Sequence, residues 1–147
     1  MARISKTPGK TRMANFFRIN DRFHLVDMPG YGYARASKTE LARWQALSAQ
    51  YLADESRHNV VVQLIDARHA PTDADVESLA RLAESGRPLC VVFNKSDKVK
   101  PSAARAGVAE ALRRLEAPTN AAVISFSSVT GEGRRELWAW IEDTLAL

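Results

Sequence analysis

Strand-like and helix-like segments alternate along most of the chain. Apolar runs at 60–65, 89–93 and 121–126 have the composition of buried strands, and a segment with helical spacing of apolar residues follows each run. A chain built in this order folds with its strands parallel, because each helix carries the chain back across a face of the sheet. The alternation therefore predicts an α/β protein with a mostly parallel sheet and helices on both faces.

Local signals indicate where the other elements begin and end. The runs 15–19 and 23–26 flank the turn pair Asn20-Asp21, which predicts a hairpin. Helix starts are indicated by N-capping residues and by a proline that suits a first helical turn. The predicted helices are one capped by Ser37 with Glu40, one from Thr72 to near Gly86, one from Pro101 to about Leu115, and one carrying Leu137, Trp140, Ile141 and Leu145.

Length and composition restrict the class of protein. The 147 residues are 46% hydrophobic and 26% charged, which fits one globular domain over residues 1–147. No apolar run approaches the ~20 residues of a membrane span. The one cysteine, Cys90, excludes an internal disulfide framework and lies in a predicted buried strand, where we expect an inert thiol. We therefore expect a cytoplasmic protein without a membrane span.

The excess positive charge is concentrated at the start of the chain. Residues 1–35 contain seven lysines and arginines against two aspartates, while the whole chain has a net charge of +4. Such a segment attracts polyanions such as nucleotide phosphates or RNA. An ordinary solvated basic surface explains the same charge, so both interpretations stay open.

Four consecutive predicted strands end in polar residues that a protein core does not favour. In a parallel sheet these carboxyl ends lie at one edge, where the ligands of α/β proteins gather. The pattern therefore predicts a binding site at that edge. The residues concerned are Asp27, then Asp66, then the set Asn94, Lys95 and Asp97, and finally Ser125, Ser127 and Ser128.

The segment Asn94-Lys95-Ser96-Asp97 follows a predicted buried strand and matches a guanine-reading motif. Guanine presents two adjacent donors, N1–H and the 2-amino group, and one carboxylate can accept both, whereas adenine has an acceptor at N1. We therefore expect Asp97 to read guanine, with Lys95 along the base and ribose and Asn94 bracing the loop. A surface turn is the alternative explanation of the same four residues.

The segment Asp27-Met28-Pro29-Gly30 has an Asp-x-x-Gly pattern directly after a strand. Its carboxylate would reach a magnesium ion through water, and its glycine N–H would face a γ-phosphate. Thr11 is a second candidate magnesium ligand, and Ser127 and Ser128 lie where guanine O6 would meet a backbone N–H. A solvated loop threonine and a plain serine turn explain these last three residues equally well.

Several further segments are distinctive in combination. They are Ser5-Lys6-Thr7-Pro8-Gly9-Lys10-Thr11, Asn15-Phe16-Phe17, the run from Val26 to Ala34 with Pro-Gly-Tyr-Gly-Tyr-Ala, Asp66-Ala67-Arg68-His69, and Phe126-Ser127-Ser128. Together they closely resemble the EngB family of bacterial GTP-binding proteins over nearly the whole chain. The resemblance implies a Ras-like, three-layer P-loop GTPase fold, binding of GTP or GDP with Mg²⁺, and slow GTP hydrolysis. It also implies assembly of the large ribosomal subunit or its precursor, and a role in normal cell division and septation.

The resemblance assigns roles by position in the chain. It implies a first switch at the start of the chain with Thr11 on magnesium, and a second switch beginning at Asp27, which also approaches magnesium. It further implies that the loop after the fourth strand reads guanine and that the loop after the fifth strand closes over the base. The implied GTP-binding residues are Gly9, Lys10, Thr11, Arg12, Met13, Asp27, Met28, Pro29, Gly30, Asn94, Lys95, Ser96, Asp97, Phe126, Ser127 and Ser128.

One family motif does not occur in these 147 residues, namely Gly-x-x-x-x-Gly-Lys-Ser/Thr. The resemblance implies that the family's first strand, phosphate loop and first helix would lie before Met1, so we expect a fold missing these elements, through a misplaced start or a truncated gene. That strand normally lies between those ending at Asp27 and Asp66, and its absence leaves two unpaired edges or forces a rearrangement. Because the loop cradles the triphosphate, we expect the chain as given to bind GTP poorly and hydrolyse little or none.

Catalysis and partners are less defined by the sequence. Tyr31 occupies the position where Ras-type enzymes place a water-orienting glutamine, so the sequence does not allow a catalytic residue to be assigned. The alternatives are a non-catalytic rRNA- or ribosome-binding module that uses the basic first 35 residues, and a remnant that does not fold alone. Metal hydrolases and proteases are excluded, because His24, His58 and His69 lack metal-ligand spacing. We expect a monomer.

Overall fold

The computed structural model describes residues 14–28, 37–54, 56, 58–116 and 120–147. Contacts between residues divide the chain into two compact units, Met1–Ala53 and Asp54–Leu147. The first unit contains two strands and a helix, and the second contains three strands, three α-helices and a short 3-10 helix within the described segments. The assignment of residues 1–147 to one domain stays a prediction.

The first unit contains the hairpin that the sequence predicts. Strands β1 (Asn15–Ile19) and β2 (Phe23–Asp27) pair antiparallel, from Ile19 opposite Phe23 to Asn15 opposite Asp27. Asn20 and Asp21 have φ angles of 47° and 56°. These two residue types tolerate the left-handed region better than other non-glycine residues, because their short polar side chains bond locally.

Helix α1 (Lys38–Leu52) begins at the predicted capping box. The Ser37 hydroxyl accepts the Glu40 N–H at 3.2 Å, and the Glu40 carboxylate accepts the Ser37 N–H at 3.0 Å. Two N–H groups that a helix start leaves without an intrahelical partner are satisfied in this way. Near its other end, the Tyr51 ring meets the Phe16 ring edge-on with centroids 6.0 Å apart, which joins the helix to β1.

The second unit is organised around three parallel strands in the order β3-β4-β5. They are β3 (Val61–Asp66), β4 (Leu89–Asn94) and β5 (Ala122–Phe126). Every residue of β4 before Asn94 is buried, which explains why this central strand is an unbroken apolar run in the sequence. The parallel sheet and its strand sequence confirm the predicted α/β class.

Helices α2 (Asp73–Glu84), α3 (Pro101–Arg114) and α4 (Arg134–Leu145) separate or follow these strands. Thr72 starts α2 and Pro101 stands in the first turn of α3, both as predicted, and Thr72 also forms a capping box with Asp75 that was not predicted. A one-turn 3-10 helix, η1 (Ser96–Lys98), follows β4 and was not among the predicted elements. None of the described helices is long and apolar enough to cross a membrane.

One face of the sheet forms the core of the second unit together with α2 and α3. Leu79 of α2 and Leu115 at the end of α3 are among the largest fully buried side chains. Cys90 has no exposed surface, and burial raises the pKa of its thiol to about 11, so it is the inert core thiol that its strand predicts. The core cluster consists of Ile65, Leu79, Leu89, Val91, Phe93, Ala111 and Leu115.

The register of the parallel strands aligns their carboxyl ends. Asp66 of β3 pairs with Asn94 of β4, and Asn94 pairs with Phe126 of β5, so these three residues form one row across the sheet. The loops that follow the three strands therefore leave the sheet at the same edge. The other described strands, β1 and β2, form a separate two-stranded sheet.

Gly133 allows the close approach between the start of α4 and the end of β5. Its φ is 73°, and a Cβ at this position would lie 2.0 Å from the Ser125 carbonyl oxygen.

We expect Gly133→Ala to lower the free energy of unfolding by about 3 kcal/mol or more, because the backbone must shift. Gly131→Ala is the matched control: its φ is 81° but nothing lies near its Cβ, so only the left-handed strain of about 1–2 kcal/mol applies. Urea unfolding measures both, and equal losses would contradict this assignment.

Candidate functional site

Three loops meet at the carboxyl edge of the parallel sheet, one after each strand. The first two are joined by a backbone hydrogen bond of 2.8 Å from the Ala67 N–H to the Asn94 carbonyl oxygen, which extends the β3–β4 ladder by one step. The sequence predicted polar residues at these strand ends, and the structure places Asp66, Asn94 and the residues after Phe126 together there.

The loop after β4 turns sharply at Lys95. This residue has φ 66° and ψ 32°, a left-handed conformation that costs a non-glycine residue about 1–2 kcal/mol. The Asn94 side-chain oxygen accepts the Lys95 N–H at 2.8 Å, so Asn94 supports the turn. The turn starts η1 and directs Asp97 back toward the loop after β5.

Asp97 is held by a buried serine. The Ser127 hydroxyl donates to Asp97 Oδ1 at 2.7 Å, and Ser127 has no exposed surface. The same hydroxyl oxygen accepts the N–H groups of Val129 and Thr130 at 3.2 and 3.1 Å. Because both lone pairs of the hydroxyl are occupied by backbone donors, its single proton is directed at the carboxylate.

The charge state of Asp97 follows from these contacts. The hydrogen bond from Ser127 and, second, the Lys98 ammonium 3.2 Å from Oδ2 hold the pKa of the Asp97 carboxyl below its usual range. The side chain is 12% exposed. Asp97 is therefore an ionised, acceptor-only group in a fixed orientation at neutral pH.

Ser96 and Glu132 tie the loop after β4 to the loop after β5 a second time. The Ser96 hydroxyl donates to Glu132 Oε2 at 2.8 Å, and the Glu132 carbonyl oxygen accepts the Ser127 N–H at 3.0 Å. Sequence analysis did not identify Glu132, because nothing in its neighbourhood distinguishes it from an ordinary acidic residue before a helix. The Ser127 N–H is engaged here, so of the two serines predicted to meet guanine O6 by a backbone N–H, Ser128 stays the candidate.

Asp66, at the end of β3, forms ion pairs with two basic side chains. Arg68 donates through Nε to Oδ1 at 2.9 Å and through Nη2 to Oδ2 at 2.6 Å, and Lys95 Nζ donates to Oδ2 at 2.8 Å. The Arg68 hydrogen bonds, followed by the contact with Lys95, hold the pKa of the Asp66 carboxyl well below its usual range despite partial desolvation. Arg68 was not predicted as a site residue, although the segment Asp66-Ala67-Arg68-His69 contributed to the family resemblance.

The remaining predicted site residues belong to the first unit. Asp27 is an exposed residue at the end of β2, and Met28 follows it. The predicted residues Gly9, Lys10, Thr11, Arg12, Met13, Pro29 and Gly30 lie outside the described residues. Within the described segments no group of three or more His, Cys, Asp or Glu side chains is arranged to hold a metal ion.

A family model and several curated proteins match this chain, and their descriptions agree with one another. The model of a family described as "50S ribosome-binding GTPase" matches residues 1–95, which is more than half of the chain. The chain is 43% identical over 145 residues to the "Probable GTP-binding protein EngB" of Natranaerobius thermophilus, covering 99% of this chain and 75% of that protein. It is 46% identical over 146 residues to the protein of the same name from Gemmatimonas aurantiaca, covering 99% and 71%.

The chain belongs to the EngB family. This confirms the resemblance found in the sequence motifs.

Similar solved structures support the fold assignment. A crystal structure of a probable GTP-binding protein EngB superposes with a TM-score of 0.77, at 23% identity and over 98% of this chain and 85% of that one. Translation elongation factor SelB from Methanococcus maripaludis superposes with a TM-score of 0.66, at 23% identity and over 89% of this chain and 27% of SelB. This EngB chain therefore has the α/β fold of P-loop GTPases.

The Ser127–Asp97 hydrogen bond leads to a prediction about pH. Ser127→Ala removes the largest contribution to the lowered pKa of Asp97, so that pKa rises toward its ordinary value. A carboxyl whose pKa is lower in the folded than in the unfolded state stabilises the fold at a pH above its unfolded-state pKa, and this stabilisation is lost as the pH falls through the folded-state pKa. The variant is therefore expected to lose more free energy of unfolding at pH 7 than at pH 2. Carboxyl ¹³C NMR titration and urea unfolding at both values measure these effects.

Ser128→Ala is the matched control for this experiment, because Ser128 is exposed and adjacent. It is expected to leave the pKa of Asp97 unchanged. An Asp97 pKa that stays equally low in Ser127→Ala would show that Ser127 does not orient the carboxylate.

Proposed function

We propose that this EngB chain binds GTP and GDP and reads the guanine base with Asp97. The observation that carries the proposal is the 2.7 Å hydrogen bond by which buried Ser127 fixes Asp97 at the carboxyl edge of the parallel sheet. A carboxylate fixed there accepts N1–H and the 2-amino group of guanine together. The names of its EngB relatives, which describe GTP-binding proteins, support the same ligand.

The neighbouring residues complete the proposed base site. Asn94 supports the turn that presents Asp97, and Ser96 ties that turn to Glu132. Lys95 would lie along the base and ribose. Phe126 and Ser128, which flank the buried Ser127 at the end of β5, would close over the base and offer O6 a backbone donor.

We assign the phosphate and magnesium contacts to the first unit. Magnesium prefers oxygen ligands and is usually held by one or two protein side chains together with phosphates and water. The exposed Asp27 carboxylate fits this chemistry, and Thr11 would supply a hydroxyl; the bound ion would neutralise phosphate charge. The other proposed contacts to the nucleotide are Gly9, Lys10, Arg12, Met13, Met28, Pro29 and Gly30.

The affinity of these 147 residues for nucleotide is proposed to be low. They contain no Gly-x-x-x-x-Gly-Lys-Ser/Thr sequence, so the backbone N–H groups and lysine of a phosphate loop are not among them. Recognition of the base does not depend on those groups, because Asp97 and its supports all belong to the second unit. We therefore propose weak binding with guanine selectivity retained, and little or no hydrolysis.

We further propose that the chain acts on the large ribosomal subunit or its precursor, in assembly and in normal division. The match of residues 1–95 to a family described as a 50S ribosome-binding GTPase supports this partner. The basic bias of residues 1–35 provides charge that an rRNA surface attracts. We propose a cytoplasmic monomer whose contact with the subunit depends on the nucleotide.

Base selectivity tests the assignment of Asp97. Titration of the chain with fluorescent GDP and ADP in the presence of Mg²⁺ is expected to show weaker than micromolar affinity with a clear preference for GDP. Asp97→Asn is expected to reduce that preference about fivefold or more, since an unpaired buried donor or acceptor costs about 1–3 kcal/mol. Asp73→Asn, an exposed aspartate on α2, is the control. A preference for GDP that survives Asp97→Asn would refute the assignment of Asp97.

Binding to purified large ribosomal subunits tests the proposed partner. Purified large subunits are expected to retain more chain on sedimentation with a millimolar non-hydrolysable GTP analogue than without nucleotide, and Asp97→Asn is expected to abolish the difference. Retention that does not depend on nucleotide and that falls steeply as the salt concentration rises would support a simple rRNA-binding module instead. An absence of retention under every condition would contradict both proposals.

A further inference from the structure

Asp66 lies outside the guanine-reading motif and contacts one of its members. Its carboxylate accepts four hydrogen bonds: the Arg68 N–H and Nε on Oδ1 at 3.1 and 2.9 Å, and Arg68 Nη2 and Lys95 Nζ on Oδ2 at 2.6 and 2.8 Å. Arg68 thus grips the carboxylate from its own loop, and one oxygen is shared with a lysine 29 residues away in sequence. The arrangement is an anchor for the Lys95 ammonium.

Both ends of this anchor are fixed by the backbone. Asp66 is the last residue of β3 and pairs with Asn94 across the ladder, and the Ala67 N–H extends that ladder to the Asn94 carbonyl oxygen at 2.8 Å. Lys95 follows Asn94 and is held in the left-handed conformation by the Asn94 side chain. The lysine side chain therefore spans a set distance between two elements that the sheet holds in register.

The ion pair is a poor candidate for a purely stabilising role. The side chains of Lys95 and Asp66 are 48% and 30% exposed, and ion pairs with that much solvent contribute little to folding. Holding a lysine in one rotamer also costs side-chain entropy. An anchored lysine is useful where its aliphatic stem must present a fixed surface, because the entropy is then lost before the ligand binds.

We propose that Asp66 is a positioning residue that holds Lys95 along the face of the guanine base, and that Arg68 keeps Asp66 in place for this task. The proposal rests on the proposed function, since it concerns how the same base site is shaped. Asp66 acts through Lys95 and does not touch the nucleotide. Its effect on nucleotide affinity must therefore disappear when the lysine ammonium is removed.

A double-mutant cycle tests this dependence in the 147-residue chain. The variants are Asp66→Asn, Lys95→Met and the double variant, and the measurement is the dissociation constant for fluorescent GDP. Lys95→Met keeps an apolar stem and removes the ammonium. Asp66→Asn is expected to weaken binding about threefold to tenfold in the parent chain. In the Lys95→Met background the same change is expected to have no further effect.

Asp73→Asn provides a matched control, because Asp73 pairs with Arg114 at 2.8 Å in another exposed ion pair of the same unit. It is expected to leave GDP affinity unchanged in both backgrounds. Thermal unfolding of each variant shows whether it is folded at the titration temperature. Arg68→Gln is expected to weaken binding in the parent chain and to have no effect once Lys95 is replaced.

The outcomes separate this inference from the proposed function. If the parent chain prefers GDP and Asp66→Asn weakens binding equally in both backgrounds, Asp66 acts as a general structural residue and the inference is overturned. An unchanged affinity in Asp66→Asn also overturns it while leaving guanine binding intact. If the parent chain shows no preference for GDP over ADP, the proposed function fails, and the positioning role fails with it.

Discussion

The pairing of β4 with a parallel strand on each side is the constraint on which the site depends. Because β4 is paired on both sides and every residue before Asn94 is buried, a one-residue register slip would shift both ladders and turn each packed side chain to the opposite face of the sheet. The ladder therefore fixes the height at which Asp66, Asn94 and Phe126 end their strands. The three loops therefore start side by side at the same edge of the sheet, close enough for short side chains to join them.

Two kinds of contact then join the loops, and they differ in physical character. Ser127 is fully buried, so its hydrogen bond to Asp97 forms where water cannot compete, and removing it leaves polar groups unsatisfied. The Asp66–Lys95 pair is partly exposed, so it directs a side chain at little benefit to stability. The buried contact sets the orientation of an acceptor, and the exposed one sets the path of a flexible stem.

The sequence predicted most of the described fold because local signals and the global pattern agreed. The capping boxes at Ser37 and Thr72 mark true helix starts, and the apolar run of β4 marks the central strand. The contacts of Arg68 and Glu132 were not predictable in the same way. Arg68 turns back onto Asp66, two residues earlier, in a loop where no helix or strand periodicity indicates which way a side chain points. Glu132 meets Ser96 over 36 residues of chain, a distance in sequence at which no periodicity or motif operates.

The charge state of Asp97 bears directly on which purine the proposed site accepts. A protonated carboxyl has both a donor and an acceptor and could satisfy the N1 acceptor of adenine, whereas a carboxylate only accepts. An aspartate with its ordinary pKa is already ionised in the neutral range, and Ser127 and Lys98 lower the pKa of Asp97 further, so the acceptor-only form persists to lower pH. Adenine would then place a lone pair against a fixed negative charge, while guanine brings two donors. The serine that orients the carboxylate thus also extends the acceptor-only form to lower pH.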